Sequence, residues 1–469
     1  MRNQVDLTPL ILFGPNGGAF VYYPRQERFD SRGRRMHLEA YGRDALLEWS
    51  KELEEQFRQL AGNGLNLDLT RGKPSIPQLE LSAALDGILA GDYRSRDGTD
   101  TRGYGGLDGI PEARALAAQW MGVAESEVLV GGNSSLTLMY LFMLSAHVLG
   151  LRGAANAWRR QPGPVRFLCP VPGYDRHFAI CEELGIEMLP VPMNDDGPDL
   201  DAVESLVEAD ASIKGIWCVP KFSNPTGAVY SDAVVRRVAA LPARAGEGFH
   251  VFWDNAYAVH ELVTDPVPLL NVMEECRRQG TENGVVIFAS TSKVTFAGAG
   301  LAFMGASRDT LDAFRRHLSV ATIGPDKVNQ LRHLRFLPDM GKVRDLMARH
   351  GELLRPKFQC VQDRLREGLE GRGIGTWTDP AGGYFVSFDA LPGLAANIID
   401  RAADAGVKLT PAGAAFPYGR DPEDRNIRLA PSYPSVEDVD RAMRVFVVCV
   451  QLCSAERRLR ELAGEGQEI

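Results

Sequence analysis

Residues 249–257, FHVFWDNAY, and residues 285–293, VVIFASTSK, decide the fold. In each, a short apolar run rich in Val, Phe and Ile stops abruptly at polar side chains. A strand that is apolar at successive positions, rather than at alternate ones, is buried on both faces, as in a mainly parallel sheet covered by helices on both sides. Outward from this pair the same pattern recurs at 127–130, 165–169, 214–219 and 299–304, alternating with helical stretches. These segments predict a large three-layer α/β/α domain over residues 99–334. Open sheets of this kind take their ligands at the carboxyl ends of the strands, so the residues following each strand are where chemistry is expected.

After Pro325 the pattern changes. A long helix is expected over 340–370, a strand over 384–388, a helix over 394–404 and a last helix over 435–463, with Ser435 and Asp438 at capping-box spacing. Another helix is expected over 38–60. Residues 36–98 together with 335–469 read as a smaller α+β domain, and residues 1–35 as an N-terminal arm.

Composition narrows the function. The 469 residues carry 52 Lys and Arg against 61 Asp and Glu, a net charge of −9. Such a chain has no general attraction for phosphate backbones or anionic lipid, so neither nucleic acid nor a membrane is expected as a partner. The apolar stretch 136–151 is broken by Ser145 and His147, and it is shorter than the roughly 20 residues that span a bilayer. Seven scattered cysteines without a CxxC pair fit reduced thiols in the cytoplasm. The histidines include no HExxH and no close pair, so no metal site is expected.

The strand ends carry the candidate chemistry. Lys293 follows two hydroxyls, Ser290 and Ser292, that suit a phosphate, and its amine, if deprotonated, can bond covalently to a carbonyl carbon. Asp254 is placed to accept a proton from a protonated pyridine nitrogen, with Tyr257 three residues on to reach the ring oxygen. Asn224, in Asn224-Pro225-Thr226-Gly227, suits a ring hydroxyl. Gly131 and Gly132, followed by Asn133, Ser134 and Ser135 at a helix start, form a nest for a phosphate monoester. Tyr174 could stack on a flat heterocycle and His177 could donate to Asp254; Arg428 matches a carboxylate with two parallel hydrogen bonds. Taken singly, each has an ordinary structural reading as a surface lysine, a capping aspartate, a turn, a capped helix, a core aromatic or a surface ion pair.

Together the set is more specific. GGNSS (131–135), PGYDRH (172–177), NPTG (224–227), DNAY (254–257), STSK (290–293) and NIRLAPS (426–432), in this order, resemble the fold-type I pyridoxal-phosphate-dependent aminotransferases over residues 40–460. DLTRGKP (68–74) and the segment 411–434 are most similar to the MocR-like branch known from actinobacterial aspartate aminotransferases, without room for the DNA-binding domain of MocR regulators. The resemblance implies pyridoxal 5′-phosphate as cofactor, held covalently by Lys293, which then moves the proton between the substrate α-carbon and cofactor C4′. Asp254 would pair with the pyridine nitrogen, supported by His177. Tyr257 and Asn224 would contact the ring oxygen, and Tyr174 would stack on the ring. Asn133, Ser134, Ser135, Ser290 and Ser292 would serve the phosphate and Arg428 the substrate carboxylate. Tyr104 would reach the phosphate of a neighbouring subunit, implying a homodimer with shared sites. One departure stands out: the family commonly has an arginine eight positions after the lysine, where this chain has Leu301.

The expected reaction is amino transfer from L-aspartate to 2-oxoglutarate, with Arg71, Lys73 and Arg176 as candidates for a second substrate carboxylate. Kynurenine or an aromatic amino acid as donor, and a lyase or decarboxylase reaction on the same cofactor, remain alternatives. A non-catalytic regulator would call for a basic recognition helix, and none is evident.

Overall fold

The structure, a computed structural model, describes residues 10–13, 19–22 and 36–464. Of the N-terminal arm, 1–35, the described part is two strands, β1 (Leu10–Phe13) and β2 (Ala19–Tyr22), paired antiparallel; the rest lies outside the described residues. A two-residue strand, β3 (Leu67–Asp68), precedes the large domain.

Eight strands build the central sheet: β4 (Val128–Val130), β5 (Arg166–Val171), β6 (Glu187–Asn194), β7 (Gly197–Pro198), β8 (Ile213–Cys218), β9 (His250–Asp254), β10 (Val285–Ser290) and β11 (Ala302–Ala306). Their spatial order is β4-β11-β10-β9-β8-β5-β6-β7. The run β6-β5-β8-β9-β10 is parallel, while β11 lies antiparallel between β10 and β4. Burial on both faces is visible residue by residue. Val251, Trp253, Val285 and Ile287 enter one apolar core, whereas Phe252, Val286 and Phe288 point into another on the opposite side. That is the three-layer arrangement of a mixed α/β domain.

The chain leaves β5 outward to β6 and then returns past it to β8 and β9. The loops after β5 and β8 therefore diverge, and a crevice opens at the carboxyl edge where the winding reverses. Strand β6 is not anticipated by the sequence reading. Only Met188 and Val191 of it are buried and it contains Pro190 and Pro192, features of a strand near the sheet margin rather than at its centre.

The smaller α+β domain holds a three-stranded antiparallel sheet of β12 (Gly375–Trp377), β13 (Val386–Ala390) and β15 (Asn426–Leu429). Between the last two, β14 (Val407–Lys408) pairs parallel with β3. The sequence reading set Arg428 beyond the central elements of this domain. It sits instead on β15, opposite Ser387 of β13; a four-residue strand is too short for periodicity to reveal. Helices Arg43–Ala61, Met340–Leu369 and Val436–Gly464 pack together over a core that includes Leu46, Leu53, Leu365, Met443 and Phe446. The expected helix over 38–60 is a single 3₁₀ turn, Leu38–Ala40, followed after Gly42 by the α-helix proper.

Candidate active site

The carboxyl edge of β5, β8, β9 and β10 and the face of the small domain enclose a cavity of about 520 Å³. Tyr174, Asp175 and Arg176 follow β5, Asn224 follows β8, Tyr257 follows β9 and Lys293 follows β10. Thr70, Arg71, Phe385, Thr410 and Arg428 close it from the small domain. Another cavity, of about 490 Å³, lies at the amino edge of the sheet among Trp158, Lys214, Phe249 and His250. It contains none of the strand-end motifs.

Asp254 ends β9 and is 3% exposed. Its Oδ2 lies 3.1 Å from Nε2 of the buried His177. The imidazole is fixed in turn by stacking on Trp217 at 4.2 Å and by an edge-to-face contact with Tyr174 at 4.9 Å. The other oxygen, Oδ1, is buried without a hydrogen-bond partner. A buried carboxylate oxygen calls for a donor, and a protonated heterocyclic nitrogen supplies one.

Lys293 has its Nζ 4.6 Å from the ring centroid of Tyr257. Desolvation by the surrounding protein pushes the amine below the usual lysine range, and the Asp254 charge offsets this only in part. The free-base form needed for covalent chemistry is thereby favoured. Burial holds the phenols of Tyr174, pushed up to about 12, and Tyr257 in their neutral, hydrogen-donating state. Behind the lysine, the Tyr384 hydroxyl donates to the Lys293 carbonyl at 3.3 Å and accepts from Gln78 Nε2 at 3.1 Å, while Gln78 Nε2 lies 3.0 Å from His350 Nδ1. Sequence reasoning missed this support because its members come from three distant segments.

Arg428 is 8% exposed. Its Nε donates to Thr410 Oγ1 at 3.4 Å, and its Nη1 donates to both Asp175 Oδ1 at 3.2 Å and Asn224 Oδ1 at 3.3 Å. The guanidinium carbon is 5.1 Å from the Phe385 ring centroid. Thus Asn224 spends its carbonyl on Arg428 and keeps its amide N–H groups for a ligand.

The glycine nest lies where expected. Ser134 is the N-cap of helix Ser135–Leu144 and no side chain caps it, so the first N–H groups are open to an anion. Asn133 Nδ2 donates to the Gly298 carbonyl at 2.8 Å and Ser292 Oγ to the Asn133 carbonyl at 3.1 Å. These two side chains tie the nest to the lysine loop. Ser290 is buried at the end of β10 and Leu301 is 1% exposed. A neighbouring cavity lined by Gly131, Gly132, Asn133, Gly298 and Arg332 brings a guanidinium close to the nest, and its Nε is buried without a partner. Tyr104 is 94% exposed and is not part of the main cavity's lining.

An open anion nest after β4, an unpartnered buried carboxylate oxygen at the end of β9 and a desolvated amine after β10, all at one edge of the sheet, fit a phosphorylated pyridine aldehyde. Comparison with known proteins decides the matter: the family model described as aspartate amino-transferase matches residues 41–462. The chain belongs to that family. It is a pyridoxal-phosphate-dependent aminotransferase. This aminotransferase is 48% identical over 427 residues to a Mycolicibacterium smegmatis protein assigned to the aminotransferases, with 90% of this chain and 99% of that one covered. It is 42% identical over 423 residues to an aspartate aminotransferase of Corynebacterium glutamicum, covering 89% and 96%. A crystal structure of an aspartate transaminase from Corynebacterium glutamicum superposes with a TM-score of 0.86 at 42% identity, over 90% of this chain and 99% of that one. No helix among the described residues is long and apolar enough to cross a membrane.

Proposed function

We propose that this aminotransferase exchanges an amino group between L-aspartate and 2-oxoglutarate, giving oxaloacetate and L-glutamate, and that it works in the cytoplasm as a homodimer of the MocR-like branch. The observation that carries the substrate reading is the charge around one cavity. Arg428 lies deep in it, and Arg71 and Arg176 share its lining. A monocarboxylic substrate needs one cation, whereas a dicarboxylate needs a second. Lys73, the third candidate, has its Nζ 3.9 Å from the Tyr433 ring centroid and is not in that lining. The 42% identical aspartate aminotransferase supports the same donor.

When bound, the cofactor supplies the electron sink that stabilises charge left on the substrate α-carbon. Lys293 Nζ takes and returns the α-carbon proton. Asp254, steadied by His177, would accept the ring nitrogen's hydrogen bond at its free oxygen. Tyr257 and the Asn224 amide would donate to the ring oxygen, and Tyr174 would lie against the ring. The nest at Asn133, Ser134 and Ser135, tied to Ser292, would take the phosphate, with Ser290 at the end of β10 as a further hydroxyl. Arg332 stands in for the arginine lost at Leu301. Removing it (Arg332→Ala) is expected to weaken cofactor retention about tenfold, the cost of one charged hydrogen bond, as read by reconstitution of the apoenzyme. Tyr104, Val320 and Ile323, 94%, 88% and 66% exposed, suit a subunit interface through which Tyr104 reaches the neighbour's phosphate; sedimentation equilibrium tests the dimer.

The function is tested on the purified holoenzyme by its visible spectrum. L-aspartate should remove the long-wavelength band and 2-oxoglutarate should restore it, with neither change in Lys293→Ala. A response to kynurenine or tyrosine but not to aspartate would replace the donor. Release of pyruvate or carbon dioxide would replace transfer by elimination or decarboxylation.

A further inference from the structure

Asp175 is a carboxylate placed on the very atom a substrate carboxylate needs. Its Oδ1 accepts from Arg428 Nη1 at 3.2 Å. A carboxylate binds arginine best through two parallel N–H groups. The fork that uses Nε is obstructed, because Nε already donates to Thr410 Oγ1, whose own hydroxyl proton goes to the Thr70 carbonyl at 2.9 Å. The remaining fork is Nη1 with Nη2, and its Nη1 is already shared by Asp175 and Asn224, of which Asp175 alone brings a competing negative charge.

The surroundings of Asp175 allow it to leave. Its side chain is 36% exposed, against 8% for Arg428. It is the first residue of helix Asp175–Glu183, where the helix dipole favours a negative charge without any specific partner. Its Oδ2 lies 4.0 Å from Nε of the half-exposed Arg176, an alternative cation on the solvent side. Arg428 has no such freedom, being held by Thr410, Asn224 and Phe385.

We infer that Asp175 is an internal substitute for the substrate carboxylate: it neutralises and orients Arg428 in the empty site, and every substrate must displace it toward Arg176. The residue is therefore a specificity-determining group that opposes carboxylate binding in general. The cost is the same for every carboxylate, so Asp175 sets how strongly a ligand must engage Arg428 before it is held.

The inference rests on Arg428 as the carboxylate grip, and Arg428→Ala separates the two claims. If that variant still binds maleate, a non-reacting dicarboxylate, as the parent does, the grip itself is misassigned. With the grip intact, maleate titrated calorimetrically into the holoenzymes of Asp175→Asn and Asp175→Ala should bind about fivefold more tightly than to the parent, the size of a half-exposed ion pair. KM for both substrates should fall by a similar factor, and propionate should gain about as much as maleate, because both must displace Asp175 from the same arginine. Weaker or unchanged maleate binding in both variants, with thermal unfolding like the parent's, would overturn the inference and leave Asp175 as a group that stays on Arg428 in the complex.

Discussion

At Asp254 one carboxylate oxygen is held by His177 and the other is buried without a partner until a ligand donates to it. Truncating the imidazole, His177→Ala, leaves both oxygens without a protein donor in a site nearly closed to water. An unsatisfied buried charge costs on the order of 1–3 kcal/mol, so kcat should fall about ten- to hundredfold. His177→Asn, which offers an amide N–H from a similar position, should recover part of it; equal losses in the two variants would place the role of His177 in packing on Trp217 instead. The groups at strand ends were legible in the sequence because each follows its strand within a few residues, as do Asp254, Lys293 and Asn224. Their supports were not. Trp217 lies inside β8 and reads as core, and Asp175 meets Arg428 across 253 positions, a pairing that only the closed fold creates.

Among the elements, Gly368 near the end of helix Met340–Leu369 separates propensity from packing. In an exposed helix interior, Gly→Ala stabilises by about 1 kcal/mol. Here a methyl group at Gly368 would overlap the branched side chain of Val447 on helix Val436–Gly464. Gly368→Ala should therefore destabilise the protein by about 1–3 kcal/mol, as overpacked cores do, measured by denaturant unfolding. Val447→Ala added to it should restore most of the loss, a coupling that a double-mutant cycle exposes. The two long helices were readable because twenty or more residues sustain one apolar pattern; their observed starts and ends, Met340–Leu369 and Val436–Gly464, fall within a residue of expectation. Strands β6 and β15 were not, since one has only two buried residues and carries two prolines and the other has four residues. What the helical pattern does not carry is the closeness of approach, and that alone sets the sign at Gly368.

For the molecule as a whole, buried imidazoles set the response to acid. His250, His333 and His350 are each pushed down from 6.5 to about 4, in every case chiefly by desolvation. All three are neutral in the fold, while the unfolded chain takes up their protons near pH 6.5. As pH falls through 6.5 toward 4 the unfolded state binds more protons, so stability declines across that window and is level above about pH 7. Two of these residues also pack against the segment around Lys293 or its supports. His333 Nε2 lies 3.0 Å from Thr295 Oγ1 and its Nδ1 lies 2.9 Å from the Asn329 carbonyl. With the proton on Nδ1, both contacts are satisfied by the neutral ring; a second proton on Nε2 replaces an acceptor by a donor. His350 Nδ1 lies 3.0 Å from Gln78 Nε2, whose amide also donates to the Tyr384 hydroxyl behind Lys293. Acid should therefore loosen the lysine segment along with the global fold. The unfolding midpoint of the apoenzyme, followed from pH 8 to about 4.5, should hold steady and then drop, with a shallower drop in His333→Asn. Cofactor absorbance of the holoenzyme should decline over the same range. A midpoint that falls while the cofactor stays bound up to global unfolding would separate the two, and move the acid sensitivity to imidazoles away from the lysine, such as His250, packed against Phe142 and Trp158 at the far edge of the sheet.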